Sequence, residues 1–143
     1  MIVSTRGRYA LRVMVDLAQH QEDGYVPLNV IAGRQDISEK YLESILKVLV
    51  QDELLTGLRG RGGGYRLTKE PKDYTLGEIL RLTEGSLAPV ACTDDGEHDC
   101  PRKESCPSHP VWQKLDTMIN DFFDGITLAD LIQPSEKSKE KLS

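Results

Sequence analysis

Ser38-Glu39-Lys40-Tyr41-Leu42-Glu43-Ser44-Ile45-Leu46-Lys47-Val48-Leu49, followed by Arg59-Gly60-Arg61-Gly62-Gly63-Gly64-Tyr65-Arg66-Leu67, is the stretch that decides the fold. Its first part reads as an amphipathic helix. Ser38 is a good N-cap, Leu42, Ile45, Leu46 and Leu49 form one apolar stripe, and Glu39, Lys40, Glu43 and Lys47 lie opposite. Its second part is a glycine-loaded tip. Leu54–Gly57 before it and Tyr65–Thr68 after it are short enough to pair as the strands of a hairpin.

Upstream, Gln35-Asp36-Ile37 makes a short connection, as in a helix-turn-helix. It follows a helix opened by Pro27, with Leu28, Ile31 and Ala32 inward. Residues 5–20 form an earlier helix with Ala10, Val13, Met14, Leu17 and Ala18 on one face, ended by Gly24. Three helices and then a hairpin, in this order, make a winged helix-turn-helix. The expected fold class is therefore mainly α with a small β-hairpin.

Downstream, Thr75 and Glu78 fit a capping box for a helix with Leu76, Ile79 and Leu80 inward, closed by Gly85. Residues 108–124 form a long helix bearing Val111, Trp112, Leu115, Met118, Ile119, Phe122 and Phe123, a stripe wide enough to need a partner surface. Thr127 and Asp130 cap a last turn, and the Lys/Glu/Ser tail from Gln133 is expected to be disordered. The organisation expected is a DNA-binding domain over 1–75, a loop and long-helix region over 76–132, and the tail over 133–143.

Composition narrows the classes. The 143 residues, 38% of them hydrophobic, suffice for one ordinary core. No apolar run reaches the length of a membrane span, and no signal peptide is read at the N-terminus. The expected location is the cytoplasm, where an odd number of cysteines needs no disulfide partner. The net charge of −5 divides unevenly: residues 1–69 carry ten Lys/Arg and eight Asp/Glu (+2), residues 70–143 eight and fifteen (−7). Arg59, Arg61, Arg66 and Lys69 stand between Leu54 and Lys69 with no acid among them. A basic hairpin on an acidic chain suits nucleic acid binding through one face and equally a solvated hairpin.

The helix-turn-helix placement favours DNA. Glu43 can accept from cytosine N4, and Ser38, Lys40, Tyr41, Ser44 and Lys47 can read base edges or hold phosphates. The tip lacks the Lys-Ser/Thr of a phosphate-binding P-loop and leads into a strand, which excludes that class of NTPase. Its glycines let the hairpin turn sharply while Arg59 or Arg61 reaches a minor groove.

All three cysteines lie in one polar loop, as Cys92-x7-Cys100-x5-Cys106-x2-His109. Three thiols and an imidazole can close a zinc or an iron–sulfur site, and the spacing does not separate the two. Redox-sensing thiols are a third reading, although Asp94, Asp95, Glu97 and Asp99 would raise thiol pKa values. His98 competes with His109 as fourth ligand, whereas His20 reads as a helix-end residue.

Ser4-Thr5-Arg6-Gly7-Arg8-Tyr9-Ala10, Ile37-Ser38-x-x-Tyr41-Leu42-Glu43 and Arg59-Gly60-x-Gly62-Gly63-Gly64-Tyr65 together resemble the Rrf-type bacterial transcription regulators, over nearly the whole chain. The resemblance is strongest to their iron–sulfur members. It implies a homodimer on a pseudo-palindromic duplex, with the long C-terminal helix as interface through Trp112, Leu115, Ile119 and Phe122. Arg8, in the N-terminal motif, joins the DNA contacts. It also implies an iron–sulfur cluster, 2Fe–2S first with 4Fe–4S or zinc as the alternatives, held by Cys92, Cys100, Cys106 and His109. The first interval is longer here than in the best-known members. Relatives that sense nitric oxide lack the histidine, and relatives governing cysteine metabolism answer to a partner enzyme without a cluster. No enzymatic activity is expected.

Overall fold

The computed structural model describes residues 3–94 and 100–143. Helix α1 (Thr5–Gln19) starts where the Ser4 hydroxyl accepts the Gly7 amide at 3.0 Å, relieving one of the free N–H groups of the first turn. Its apolar face, Ala10, Val13, Met14, Leu17 and Ala18, is buried, and four of the later helices and one strand pack on it. Helix α2 (Leu28–Gln35) ends at Asp36, whose φ of 54° turns the chain sharply into α3 (Glu39–Gln51). Ser38 caps α3 by accepting from the Tyr41 amide at 3.2 Å, and Leu42, Ile45, Leu46 and Leu49 are all buried beneath it. Each such side chain is worth roughly 1.5–3 kcal/mol in burial, which holds the helix's polar face outward.

The hairpin pairs β1 (Leu55–Leu58) with β2 (Gly64–Leu67) antiparallel, with Leu55 opposite Leu67 and Leu58 opposite Gly64. This lies one residue later at the start, and one earlier at the end, than the sequence suggests. The Leu54 amide still belongs to the end of α3, donating to the Leu49 carbonyl at 2.9 Å. Tyr65 and Val26 exchange two hydrogen bonds of 2.9 Å on the hairpin's other edge. Gly64 makes that approach possible: its φ is 149°, and a Cβ there would strike the Val26 carbonyl.

Helix α4 (Leu76–Glu84) packs on α1. The capping box expected at its start is half-formed. Thr75 accepts the Glu78 amide at 3.1 Å, but the Glu78 carboxylate faces Lys69 at 3.3 Å. The complete box belongs to Thr127 and Asp130, at 3.2 and 2.9 Å. Helix α5 (His109–Asp124) is fastened to α4 by Arg81, which donates to both carboxylate oxygens of Asp124 at 2.8 Å and to Asn120 at 2.7 Å. Helix α6 (Leu128–Ile132) returns to α1. Ile79, Ile126 and Leu128 share one buried cluster with α1–α3, so the core runs unbroken across residue 75.

The tail departs from the expectation of disorder. Glu136–Leu142 forms a helix, α7, because Ser135 caps it and Asp130 holds it. The buried Ser138 hydroxyl donates to Asp130 at 2.7 Å and Lys141 reaches the same carboxylate at 3.2 Å. Among the described residues no helix is long and apolar enough to cross a membrane.

Candidate nucleic-acid interface and cysteine loop

The polar face of α3 and the glycine tip stand side by side across a groove of about 750 Å³, lined by Glu43, Lys47, Leu58, Arg59 and Tyr65 among others. Arg59 and Arg61 are exposed on the tip and pair with no carboxylate among the described residues. Gly60 and Gly62, at φ 90° and 76°, shape the turn that carries them, closed by Gly63 N–H on the Gly60 carbonyl at 3.0 Å. Lys40, Glu43 and Lys47 are likewise exposed and unpaired among the described residues. A surface cation without a neighbouring anion is free to exchange its solvent for a phosphate.

The other sequence candidates have internal work. Ser38 uses its hydroxyl as the cap of α3. Tyr41 is half-buried, edge-on to Tyr9 with ring centroids 5.8 Å apart. Ser44 donates to the Tyr41 carbonyl at 2.7 Å and takes the Arg6 guanidinium on its main-chain oxygen at 3.1 Å. Arg8 is exposed and donates to Thr5 at 3.2 Å.

In the cysteine loop the three thiols are free and half-buried. Cys92 sits on a single turn, Ala91–Thr93, that packs against α5. Cys100 accepts the Lys103 amide and Cys106 the His109 amide through their carbonyls, at 3.0 and 3.2 Å. Against the expectation from acidic neighbours, the Cys106 thiol lies below its ordinary value. The Ser108 hydroxyl 3.2 Å from Sγ is the main cause, followed by the Ser108 and His109 amides and the charge of Arg102. Of the acidic neighbours, Asp95, Glu97 and Asp99 lie outside the described residues, as does His98.

His109, the first residue of α5, is the helix's one buried residue among those described, and neither ring nitrogen has a hydrogen-bond partner. A buried imidazole left this way costs desolvation without return. Three thiols with one such imidazole match the donor chemistry of an iron–sulfur or zinc site. Among the described residues, though, no three His, Cys, Asp or Glu side chains converge closely enough to hold a metal ion.

The outward stripe of α5 is Val111, Leu115, Met118 and Phe122, at 58, 36, 56 and 49% exposure. It shares Leu115 and Phe122 with the interface expected from sequence, whereas Trp112 and Ile119 are half-buried.

Residues 3–134 match the family model named Rrf2, described as an iron-dependent transcriptional regulator. The chain belongs to the Rrf2 family. This Rrf2 protein is 36% identical over 136 residues to the HTH-type transcriptional regulator IscR of Aliivibrio salmonicida, a match spanning 95% of this chain and 80% of that one. Its fold superposes on T. potens IscR with a TM-score of 0.72 at 37% identity, covering 97% and 91% of the two chains. CymR, the global cysteine regulator of B. subtilis, superposes with a TM-score of 0.75 at 33% identity, covering 95% and 99%. Relatives of this Rrf2 chain are transcriptional regulators and not enzymes, and the winged helix-turn-helix is theirs too.

Two polar devices in the Rrf2 chain escaped the sequence reading. Arg6 anchors α3 through Ser44. Asp16, fully buried on α1, accepts from Arg34 at 2.6 and 3.0 Å and from Gln35 at 2.8 Å, locking α2 in place. A signal for Asp16 was present: it falls between Val13 and Leu17, on the face that turns inward.

Proposed function

We propose that this Rrf2 regulator binds a pseudo-palindromic operator as a homodimer in the cytoplasm, and that an iron–sulfur cluster on Cys92, Cys100, Cys106 and His109 modulates that binding. The observation that carries the cluster reading is His109, buried with both ring nitrogens unpartnered, on a chain whose three cysteines are all free and precede it within eighteen residues. The cluster type in best accord with three thiolates and one imidazole is 2Fe–2S. When bound, such a cluster supplies a redox-active and chemically labile centre.

The chain's own residues then do the rest. Lys47, Arg59 and Arg61 meet phosphates, with Lys40 and Arg8 adding charge, while Glu43 discriminates among base edges. Ser38, Tyr41 and Ser44 present the reading helix as much as they touch DNA. The stripe Val111–Leu115–Met118–Phe122 packs on a second copy, placing two reading heads on one two-fold axis. Cys92, Cys100, Cys106 and His109 would hold the cluster, so its gain or loss would bear on the start of α5, against which the Cys92 turn packs. Arg81 passes a shift of α5 to α4, which lies against α1.

One observation favours a second reading, a regulator without an iron–sulfur cluster, zinc-stabilised or metal-free, that answers to a partner protein or to thiol oxidation: the donors do not converge among the described residues. Anaerobic purification with iron, sulfide and zinc analysis separates the two. The cluster reading expects a brown protein whose iron and sulfide vanish in Cys92→Ser, Cys100→Ser and Cys106→Ser. It expects His109→Ala to give a labile cluster and His98→Ala to change little. Colourless wild-type protein, or zinc in place of iron, decides for the alternative.

A further inference from the structure

We propose that Tyr74 is a positioning residue for operator binding: its hydroxyl clamps the two roots of the wing hairpin and thereby sets where Arg59 and Arg61 stand. The proposal rests on reading the hairpin as a DNA-contacting wing. Tyr74 is fully buried just ahead of α4. Its hydroxyl donates to the Leu54 carbonyl at 2.7 Å, immediately before β1. It accepts the Thr68 and Lys69 amides at 2.9 and 3.0 Å, immediately after β2. A phenol has one proton to give and two lone pairs to fill, and main-chain groups of the hairpin's roots meet all three, with the Thr68 hydroxyl also 3.0 Å away.

The same residue faces the other half of the chain through its backbone. The Tyr74 carbonyl accepts the Leu128 amide at 3.1 Å, and next to it the Leu76 amide donates to Ile126 at 2.9 Å. Tyr74 therefore joins the roots of the wing to the segment that follows α5. Thr68 adds a second strap, its hydroxyl donating to the Glu53 carbonyl at 2.8 Å where the chain leaves α3.

Geometry gives the root leverage over the tip, beside the hold of Val26 on Tyr65. The hairpin has two four-residue strands, and such a ribbon is marginal by itself. At about 3.3 Å per residue its arm is roughly 13 Å, so a tilt of about 10° at the root moves the tip by about 2 Å. That is enough to take an arginine out of hydrogen-bond reach of a phosphate. Phenylalanine fills the same core space, so burial of the ring alone does not call for the hydroxyl.

The test compares Tyr74→Phe, Arg59→Ala/Arg61→Ala, the triple variant, and Ile79→Val as a core control that destabilises without touching the wing. The probe is a duplex selected by the wild-type protein from a random pool, titrated at several salt concentrations. Hydrogen exchange reads the Thr68 and Lys69 amides. Tyr74→Phe is expected to stay folded, to lose protection at those two amides, and to bind about tenfold more weakly with a shallower salt dependence. Ile79→Val keeps wild-type affinity. In the arginine-free background Tyr74→Phe costs nothing further, because the groups it positions are gone. Unchanged affinity in Tyr74→Phe, or a loss that simply adds to that of the arginine pair, overturns the proposal. Unchanged affinity in the arginine variant overturns the wing reading itself and the proposal with it. Should Tyr74→Phe not fold, Thr68→Val removes the strap to Glu53 and the hydroxyl 3.0 Å from the Tyr74 oxygen, loosening the same root, and unchanged affinity there counts against control of the tip by its roots and so against the proposal.

Discussion

Replacing both wing arginines should change how binding responds to salt more than how the protein folds. Arg59 and Arg61 are exposed and share no ion pair among the described residues, so Arg59→Ala/Arg61→Ala leaves no stranded carboxylate. Stability should move by no more than about 0.5 kcal/mol. A dimer presents two wings and therefore four such arginines. Each phosphate contact contributes about 0.9 to the slope of log K against log salt, so the slope should fall by about 1.8 with one contact per wing and about 3.6 with two. Between about 50 and 200 mM salt the smaller figure is a difference of roughly twelvefold in how much affinity is lost. Fluorescence anisotropy on a labelled duplex, repeated across that range, measures it directly. A folded double variant with the wild-type slope would refute the reasoning, because phosphate contacts cannot be lost without fewer counterions being released.

Glu43→Ala should shift base preference at one position per half-site by about 1–3 kcal/mol while affinity for unrelated duplexes holds or rises; selection from a random pool by the variant shows which. Leu115→Glu/Phe122→Glu, at the two positions of the exposed α5 stripe shared with the interface expected from sequence, should give monomers in analytical ultracentrifugation, and a persisting dimer would place the interface elsewhere. Asp130 is held down at about 2 by the Thr127 amide first, then by Ser138 and Lys141. Its folded pKa is depressed, so its stabilisation is present above the unfolded value near pH 4 and is lost as pH falls toward 2. Asp130→Asn should therefore cost about 1–2 kcal/mol at neutral pH, discounted for the partly exposed Lys141, with the gap from wild type closing in acid. A pH-independent difference in thermal unfolding would mean that packing and not charge is at stake.

Periodicity made the first three helices legible because their apolar stripes meet in one core: Val13, Met14 and Leu17, then Ile31, then Leu42, Ile45 and Leu49, all lie where the 3.6-residue repeat puts them. The glycine tip was legible because positive φ at Gly60, Gly62 and Gly64 leaves few other residues. What escaped was long-range. Whether Glu78 closes its capping box depends on Lys69, across the turn, and no local pattern announces it. The tail looks disordered by composition, yet Asp130 recruits Ser138 and Lys141 to it. On α5 the sequence showed that an apolar face needed cover but not which one. Trp112 and Ile119 turn partly inward while Val111 and Met118 turn out, a choice made by how Arg81 docks the helix. For the cysteine loop, residue identity shows only which side chains could donate, whereas whether they converge depends on the fold.

The central claim, that ligation at the cysteine loop governs DNA binding, is tested most directly by operator affinity measured anaerobically on one preparation before and after removal of its iron, alongside Cys106→Ser. The account predicts that iron and sulfide are present at the start and that removal changes affinity by at least about fivefold, the lower end of ordinary coupling between sites. It also predicts that Cys106→Ser binds DNA as the iron-free protein does, whatever iron is supplied. Equal affinity in the iron-loaded and iron-free states, with the wild type demonstrably loaded, would contradict it.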